Sequence, residues 1–126
     1  GLGKMGANIA LNLKDHNYDV TGYDLNEAAR ESLQQQGVKT ADTLPKLFQR
    51  KDKEPYVVIL FIPNQHVDMT IDQIFPLLSQ GDVVIDGGNS NFNISIKRYQ
   101  HLKSKNNSLI KKNQYFITLI GFNIFF

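Results

Sequence analysis

The chain has 126 residues, of which 41% are hydrophobic and 21% charged, and this is the length of one globular domain of roughly 100 to 150 residues. It contains no cysteine, which excludes a disulfide framework and a thiolate site and agrees with a reducing, cytoplasmic location. The longest apolar stretch, residues 115–126, is shorter than the roughly 20 residues that a membrane span needs. We therefore expect no membrane segment.

The formal net charge of +2 is unevenly distributed. Residues 1–86 hold all twelve acidic residues and eight basic ones, whereas the rest of the chain holds six basic residues and no acidic one. One interpretation is a basic patch that binds nucleic acid. The interpretation we prefer is a tail that was never selected to fold, so we expect no nucleic-acid partner.

The sequence begins with a glycine-rich turn, Gly1-Leu2-Gly3-Lys4-Met5-Gly6. In dinucleotide-binding units such a turn joins a buried strand to a helix. The first glycine allows the tight turn, the second lets a pyrophosphate approach the backbone, and the third lets helix and strand pack closely. No strand precedes the turn here, so we expect a unit that lacks its first strand.

Helical and strand patterns alternate along the rest of the chain, with short connections. Asn26 is a good N-cap and Gly37 a helix stop, Pro45 lies in the first turn of a short helix that begins near Thr43, and Pro63 ends an apolar run typical of a strand buried on both faces. The predicted helices are residues 5–15, 26–36, 67–78 and 92–105, and the predicted strands are residues 19–23, 38–40, 56–62 and 82–86. This alternation predicts an α/β fold, a Rossmann-type doubly wound parallel sheet that lacks its first strand.

The character of the sequence changes at residue 106. Of the 21 residues from 106 to 126, fifteen are Asn, Lys, Ile, Phe or Tyr, which A/T-rich codons encode, and they show neither periodicity nor turn signals. We hypothesise a frameshift or a truncated gene. The predicted organisation is an incomplete dinucleotide-binding domain in residues 1–105 and an irregular tail in residues 106–126.

Asp24 ends the second strand of the dinucleotide-binding pattern, 18 residues after Gly6. A carboxylate at about 20 residues accepts hydrogen bonds from the ribose hydroxyls of NAD and repels the 2′-phosphate of NADP. This spacing favours NAD, and makes NADP the less favoured cofactor. The alternative is that Asp24 only caps the helix that begins near Asn26.

Two further strand exits carry residues suited to a ligand, since open parallel sheets bind ligands beyond the carboxyl ends of their strands. One is Phe61-Ile62-Pro63-Asn64, and the other is Gly87-Gly88-Asn89-Ser90, where Asn89 offers a donor and an acceptor. The alternative for the second exit is a Gly-Gly turn with Asn89 capping the next helix.

No metal site is expected. His16, His66 and His101 have no partner at metal-ligand spacing, and a solvated acidic face is the favoured interpretation of Asp68 and Asp72.

Three stretches of residues 1–105 resemble the cofactor domain of decarboxylating 6-phosphogluconate dehydrogenase: Gly1 to Asn8, Asn64 to Asp68, and Val84-Ile85-Asp86-Gly87-Gly88-Asn89-Ser90-Asn91. The resemblance implies that the cofactor contacts Gly1, Leu2, Gly3, Lys4, Met5, Gly6, Asp24, Leu25, Asn26, Phe61, Ile62, Pro63 and Asn89. It also implies that Asn89 reaches the substrate. Where NADP-dependent members have Asn-Arg-Thr, this chain has Asp24-Leu25-Asn26, and it therefore resembles the NAD-preferring members.

The resemblance implies an intact enzyme of the pentose phosphate pathway that oxidises 6-phosphogluconate and releases carbon dioxide to give ribulose 5-phosphate. The family's catalytic Lys and Glu come after the point where this sequence turns irregular, so we assign no catalytic residue and expect the chain alone to be inactive. The family dimerises through a helical domain, and we expect oligomers only if that domain is present. The alternatives are another β-hydroxyacid dehydrogenase and a non-catalytic nucleotide-binding remnant.

Overall fold

The computed structural model describes residues 1–49, 54–79 and 82–88. The chain divides into two units, Gly1–Lys51 and Asp52–Phe126. Three features predicted from the sequence lie outside the described residues: the position of Asn89, the helix over residues 92–105 and the tail from residue 106.

The first unit alternates helices with short strands. Its strands pair in parallel, with Thr21 opposite Lys39 and Tyr23 opposite Ala41, so both strands end at the same edge of the sheet. The elements in chain order are α1 (Lys4–Asp15), β1 (Thr21–Tyr23), α2 (Glu27–Gln35), β2 (Lys39–Ala41) and α3 (Leu44–Leu47).

Side-chain caps and a glycine set the ends of the helices in this unit. The side chain of Asn26 accepts a hydrogen bond from the Ala28 amide at 3.0 Å, which satisfies a free N–H group of the first turn of α2. Gly37 follows this helix with φ +82°, a conformation that favours glycine. Thr43 caps α3, and Pro45 lies in its first turn. These predictions from the sequence are confirmed.

The core of the first unit is made by Leu2, Ala10, Leu33 and Val38, with half-buried Ala7, Leu11, Val20 and Ala29 packed against them. Gly22 in β1 permits this packing. A Cβ atom on Gly22 would lie 2.9 Å from Cδ2 of Leu2 and 3.2 Å from Cδ2 of Leu33. The missing side chain therefore lets the glycine turn and α2 approach the strand closely.

In residues 54–79 and 82–88 the second unit forms a parallel strand pair, a helix and a 3₁₀ turn. Val57 lies opposite Val83 and Leu60 opposite Asp86. Its elements are β3 (Val57–Leu60), α4 (Asn64–Ile74), a 3₁₀ turn (Phe75–Leu77) and β4 (Val83–Asp86). The buried apolar residues are Leu60, Val67, Ile71, Ile74, Leu78 and Val84.

Two boundaries in this unit differ from the prediction. The helix expected over residues 67–78 begins at Asn64, directly after Pro63, and ends at Ile74. Pro76 explains the early end, because its ring carries no N–H group for the carbonyl four residues earlier, and the chain continues as a 3₁₀ turn.

The burial of β3 also differs from the prediction of a strand buried on both faces. Its first residue, Val57, is 63% exposed, because an apolar run alone does not show which faces are covered.

The observed pairing agrees with a doubly wound fold. A complete doubly wound sheet has the strand order 3-2-1-4-5, and all of its strands are parallel. If its first strand is the one predicted to be missing here, β1 and β2 correspond to its neighbouring second and third strands, and β3 and β4 to its neighbouring fourth and fifth strands. The predicted α/β class with parallel strands is confirmed. In the part of the chain that the structure describes, no helix combines the length and apolar character needed to cross a membrane.

Candidate functional site

The glycine turn leads directly into α1. Gly3 occupies the N-cap position with φ −61° and ψ −177°, and its carbonyl accepts the Ala7 amide at 2.9 Å. The amides of residues 4–6 precede that first helical donor and have no carbonyl partner within the helix. Such a helix N-terminus attracts anions, because free N–H groups and the helix dipole point the same way.

Gly3 suits a ligand-binding turn because it leaves space beside the backbone, and its backbone conformation is not unusual. The extended backbone of Gly3 is open to any residue, and a Cβ atom there would meet no other atom within 4 Å. A ligand can therefore approach this backbone closely. Gly6 is buried within α1, whereas Lys4 and Met5 are exposed.

The carboxylate of Asp24 joins the glycine turn to the turn that follows β1. Its Oδ2 accepts the Leu2 amide at 2.7 Å, and its Oδ1 accepts the Asn26 amide at 2.8 Å. The N-cap of α2 is Asn26, so Asp24 holds the capping residue in place and is not itself the cap. A carboxylate has about four lone-pair sites, and the hydrogen bonds within the described part of the chain leave two of them for further donors.

The surroundings of Asp24 keep it ionised. Burial alone raises the pKa of this carboxyl, but the hydrogen bonds from Leu2 and Asn26, followed by the positive charges of the Gly1 amino group and of Arg30, outweigh burial and bring the pKa below its ordinary value. A full negative charge therefore stands at the end of β1 at neutral pH.

Arg30 was missed by reasoning from the sequence. Its Nη1 donates to the carbonyl oxygen of Asp24 at 2.7 Å and to that of Leu25 at 3.2 Å. These acceptors are backbone atoms, which leave no pattern in the sequence. The signal available in the sequence was a basic residue in the first turn of α2, the helix that follows β1. Leu25 itself is 88% exposed.

A second carboxylate stands near this turn. Asp42 follows β2 as Asp24 follows β1, at the same edge of the sheet. The hydrogen bond from Lys46, at 2.7 Å, lowers the pKa of Asp42, and the charge of Arg30 acts in the same direction. The guanidinium thus interacts with the carboxylates at both strand ends.

In the second unit the exits of β3 and β4 lie against each other. The Gly87 amide donates to the Leu60 carbonyl at 3.0 Å and so continues the ladder past the end of β4. A Cβ atom on Gly87 would lie 2.6 Å from Cε1 of Phe61, and one on Gly88 would lie 3.3 Å from the Ile62 carbonyl oxygen. The structure therefore brings Phe61 and Ile62 onto the two glycines, while Pro63 is exposed at the start of α4.

Asp86 shapes the start of the glycine loop. Its side chain is buried, and Oδ1 accepts the Gly88 amide at 3.1 Å. The motif contained this residue, but its hydrogen bond with the Gly88 amide was not predicted from the sequence. Asn89 follows immediately and lies outside the described residues.

The described ranges, residues 1–49, 54–79 and 82–88, contain no group of three or more side chains that could hold a metal ion. His16 and His66 are exposed there, and Nδ1 of His16 lies 2.8 Å from the Asn12 carbonyl oxygen.

Comparison with known proteins finds similar sequences among decarboxylating 6-phosphogluconate dehydrogenases. The chain is 35% identical over 109 residues to the NAD⁺-dependent decarboxylating 6-phosphogluconate dehydrogenase of Bacillus subtilis, a match of 83% of this chain and 23% of that protein. It is 37% identical over 110 residues to decarboxylating 6-phosphogluconate dehydrogenase 1 of Saccharomyces cerevisiae, covering 83% of this chain and 22% of the relative.

A solved structure shows the same fold. The 6-phosphogluconate dehydrogenase of Plasmodium falciparum, studied in its apo form and with NADP⁺ or 6-phosphogluconate, superposes with a TM-score of 0.74 at 29% identity, over 83% of this chain and 24% of that one. The chain spans between 21% and 34% of the length of the curated relatives it matches. The family model for the NAD-binding domain of 6-phosphogluconate dehydrogenase matches residues 1–112. With its glycine turn, its Asp24 and its parallel strand pairs, the chain belongs to this family of NAD-binding domains.

Proposed function

We propose that this chain is the cofactor-binding part of a decarboxylating 6-phosphogluconate dehydrogenase, in which residues 1–105 form the cofactor domain and residues 106–126 lie outside it. The observation that carries the proposal is the carboxylate of Asp24, which joins the amide of the glycine turn to the amide of Asn26. A dinucleotide requires a carboxylate for its ribose next to a helix N-terminus for its phosphates, and the contact between Asp24 and the glycine turn supports this assignment.

Different residues contact different parts of the cofactor in this proposal. The pyrophosphate lies on Gly1 to Gly6, because the amides of the first turn of α1 are free of helical partners and the space beside Gly3 is open. The adenosine ribose lies on Asp24, Leu25 and Asn26. Phe61, Ile62, Pro63 and Asn89 make the remaining cofactor contacts.

NAD is the proposed cofactor, in preference to NADP. A 2′-phosphate carries a charge of about −1.5 to −2, and Asp24 stays ionised because its pKa is lowered. Leu25 places an exposed apolar side chain where NADP-dependent members of the family have arginine. Both cofactors occur among the named relatives, since the Bacillus subtilis protein is NAD⁺-dependent and the Plasmodium falciparum structure contains NADP⁺.

When bound, the nicotinamide would accept hydride from the carbon that bears the substrate hydroxyl. This chain's own residues hold the cofactor and position it, and Asn89 contacts 6-phosphogluconate in the intact protein. Hydride transfer also needs a base on the substrate hydroxyl, which we assign to the rest of the enzyme. The intact enzyme then converts 6-phosphogluconate to ribulose 5-phosphate and carbon dioxide.

Titration with NAD⁺ during thermal melting tests the proposal. We expect a cooperative transition whose Tm rises with NAD⁺ concentration. Gly3→Ala should melt close to the wild type, because its Cβ meets no protein atom within 4 Å, but it should bind NAD⁺ at least about tenfold more weakly, because the Cβ occupies the space of the phosphate.

Asn12→Ala is the matched control, since Asn12 is an exposed residue further along the same helix, and it should leave NAD⁺ affinity unchanged. A cooperative melt that NAD⁺ does not shift contradicts the proposal. The absence of any cooperative melt would instead support a non-catalytic remnant.

A further inference from the structure

Arg30 lies at the turn where the adenosine ribose is expected. Its Nη1 bonds the carbonyl oxygens of Asp24 at 2.7 Å and Leu25 at 3.2 Å. The side chain comes from α2 and is half-buried. Two acceptors on a single nitrogen hold the guanidinium at this turn rather than leaving it to move freely in solvent.

Most of the hydrogen-bonding capacity of Arg30 remains available. A guanidinium has five N–H donors in a planar arrangement. Within residues 1–49, 54–79 and 82–88, the side-chain hydrogen bonds of Arg30 run through Nη1 to these two carbonyls. Nε and Nη2 therefore keep donors for a ligand, and arginine binds phosphate through two such donors at once.

The positive charge of Arg30 opposes the repulsion that the Asp24 carboxylate exerts on a 2′-phosphate. The guanidinium interacts electrostatically with the carboxylates of Asp24 and Asp42. In NADP-dependent relatives the arginine at this turn stands at the position of Leu25. Here the turn carries an exposed leucine instead, and the guanidinium reaches the same turn from the helix.

We propose that Arg30 is a specificity-determining residue of the ribose site: its guanidinium is a ready partner for a 2′-phosphate, and the carboxylate of Asp24 is the group that denies this partner to NADP. This inference rests on the proposed function. Its consequence is that neutralising Asp24 alone shifts the ratio of affinities toward NADP, because the positive group is already in place.

The test compares the affinities for NAD⁺ and NADP⁺ by calorimetry, using the full chain. Asp24→Asn should raise the ratio of NADP⁺ to NAD⁺ affinity at least about tenfold, since one unit charge is removed beside the phosphate. In the double variant Asp24→Asn with Arg30→Gln, most of this gain should disappear. With Arg30→Lys in the same background, part should remain, because lysine keeps the charge without the planar pair of donors.

The affinity ratio separates recognition from structural damage, because a damaged fold weakens both cofactors together. Lys46→Gln in the Asp24→Asn background is the control for general charge effects, since it removes an exposed cation that pairs with Asp42. It should change the ratio less than about twofold.

An Asp24→Asn/Arg30→Gln variant that keeps the ratio of Asp24→Asn overturns the inference but leaves the proposed function intact. A wild-type chain that binds neither cofactor overturns both.

Discussion

Asp24 accepts two backbone amides at 2.7 and 2.8 Å, and these contacts predict how the site behaves in acid. The pKa of Asp24 is lowered in the folded chain, below the value of about 3.9 for a free aspartate. Its contribution to stability is therefore fully present above the unfolded pKa and is lost as the pH falls through the folded pKa. The carboxylate stays ionised throughout the neutral range.

We accordingly expect the contribution of Asp24 to NAD⁺ affinity to be constant between about pH 8 and pH 5 and to be lost only below about pH 4. Calorimetric titrations across this range measure it. Asp24→Asn should bind more weakly and remove the acid dependence, whereas Asp42→Asn, which neutralises the other strand-end carboxylate, should retain it. A loss of affinity between pH 7 and pH 6 would contradict this assignment.

At the scale of elements, Asp82 connects the beginnings of the two strands in the second unit. It is 2% exposed, and its Oδ1 accepts the Tyr56 amide while Oδ2 accepts the Ser79 amide, both at 2.8 Å. Tyr56 precedes β3 and Asp82 precedes β4. The carboxylate thus fixes the register at which the strands begin.

Asp82→Ala leaves two half-buried amides without this partner, and we expect it to reduce the free energy of unfolding by about 1–3 kcal/mol. Asp82→Asn should lose less, because its remaining carbonyl oxygen can accept one of the two amides. Urea denaturation followed by circular dichroism measures both. Asp19→Ala, which removes an exposed partner of Lys39, is the control and should cost under about 1 kcal/mol.

A loss below about 0.5 kcal/mol for Asp82→Ala would show that the two amides find other partners.

Local signals predicted several element boundaries well. Asn26 and Gly37 marked the ends of α2 because capping depends on residues close in the chain. The end of α4 was misplaced, since the apolar pattern continues through Pro76 while the hydrogen bonding changes.

The contacts of Arg30 and Asp82 could not be predicted. Each joins a side chain to backbone atoms of another element, and only the folded chain brings them together. By contrast, the strand-end positions of Asp24, Phe61 and Gly87 followed from the alternation of helices and strands, because parallel strands end at a common edge.

At the scale of the whole molecule, the chain spans only 21% to 34% of the length of its curated relatives. We expect it to bind NAD⁺ without oxidising 6-phosphogluconate, since cofactor positioning does not supply the base that the substrate hydroxyl requires. NADH absorbance in the presence of both compounds measures this, with an intact homologous dehydrogenase as the positive control. NADH formation above the protein-free rate would show that the chain carries its own base.

The bridge that Asp24 makes between Leu2 and Asn26 also bears on how cofactor use can evolve in this fold. The side chain of Asp24 holds both the glycine turn and the turn that follows β1. A mutation of Asp24 that changes the preference between NAD and NADP therefore also weakens the binding of the pyrophosphate. An ancestor shifting from one cofactor to the other would pass through weak binders of both. Compensating changes in the glycine turn should then accompany any natural replacement of this aspartate.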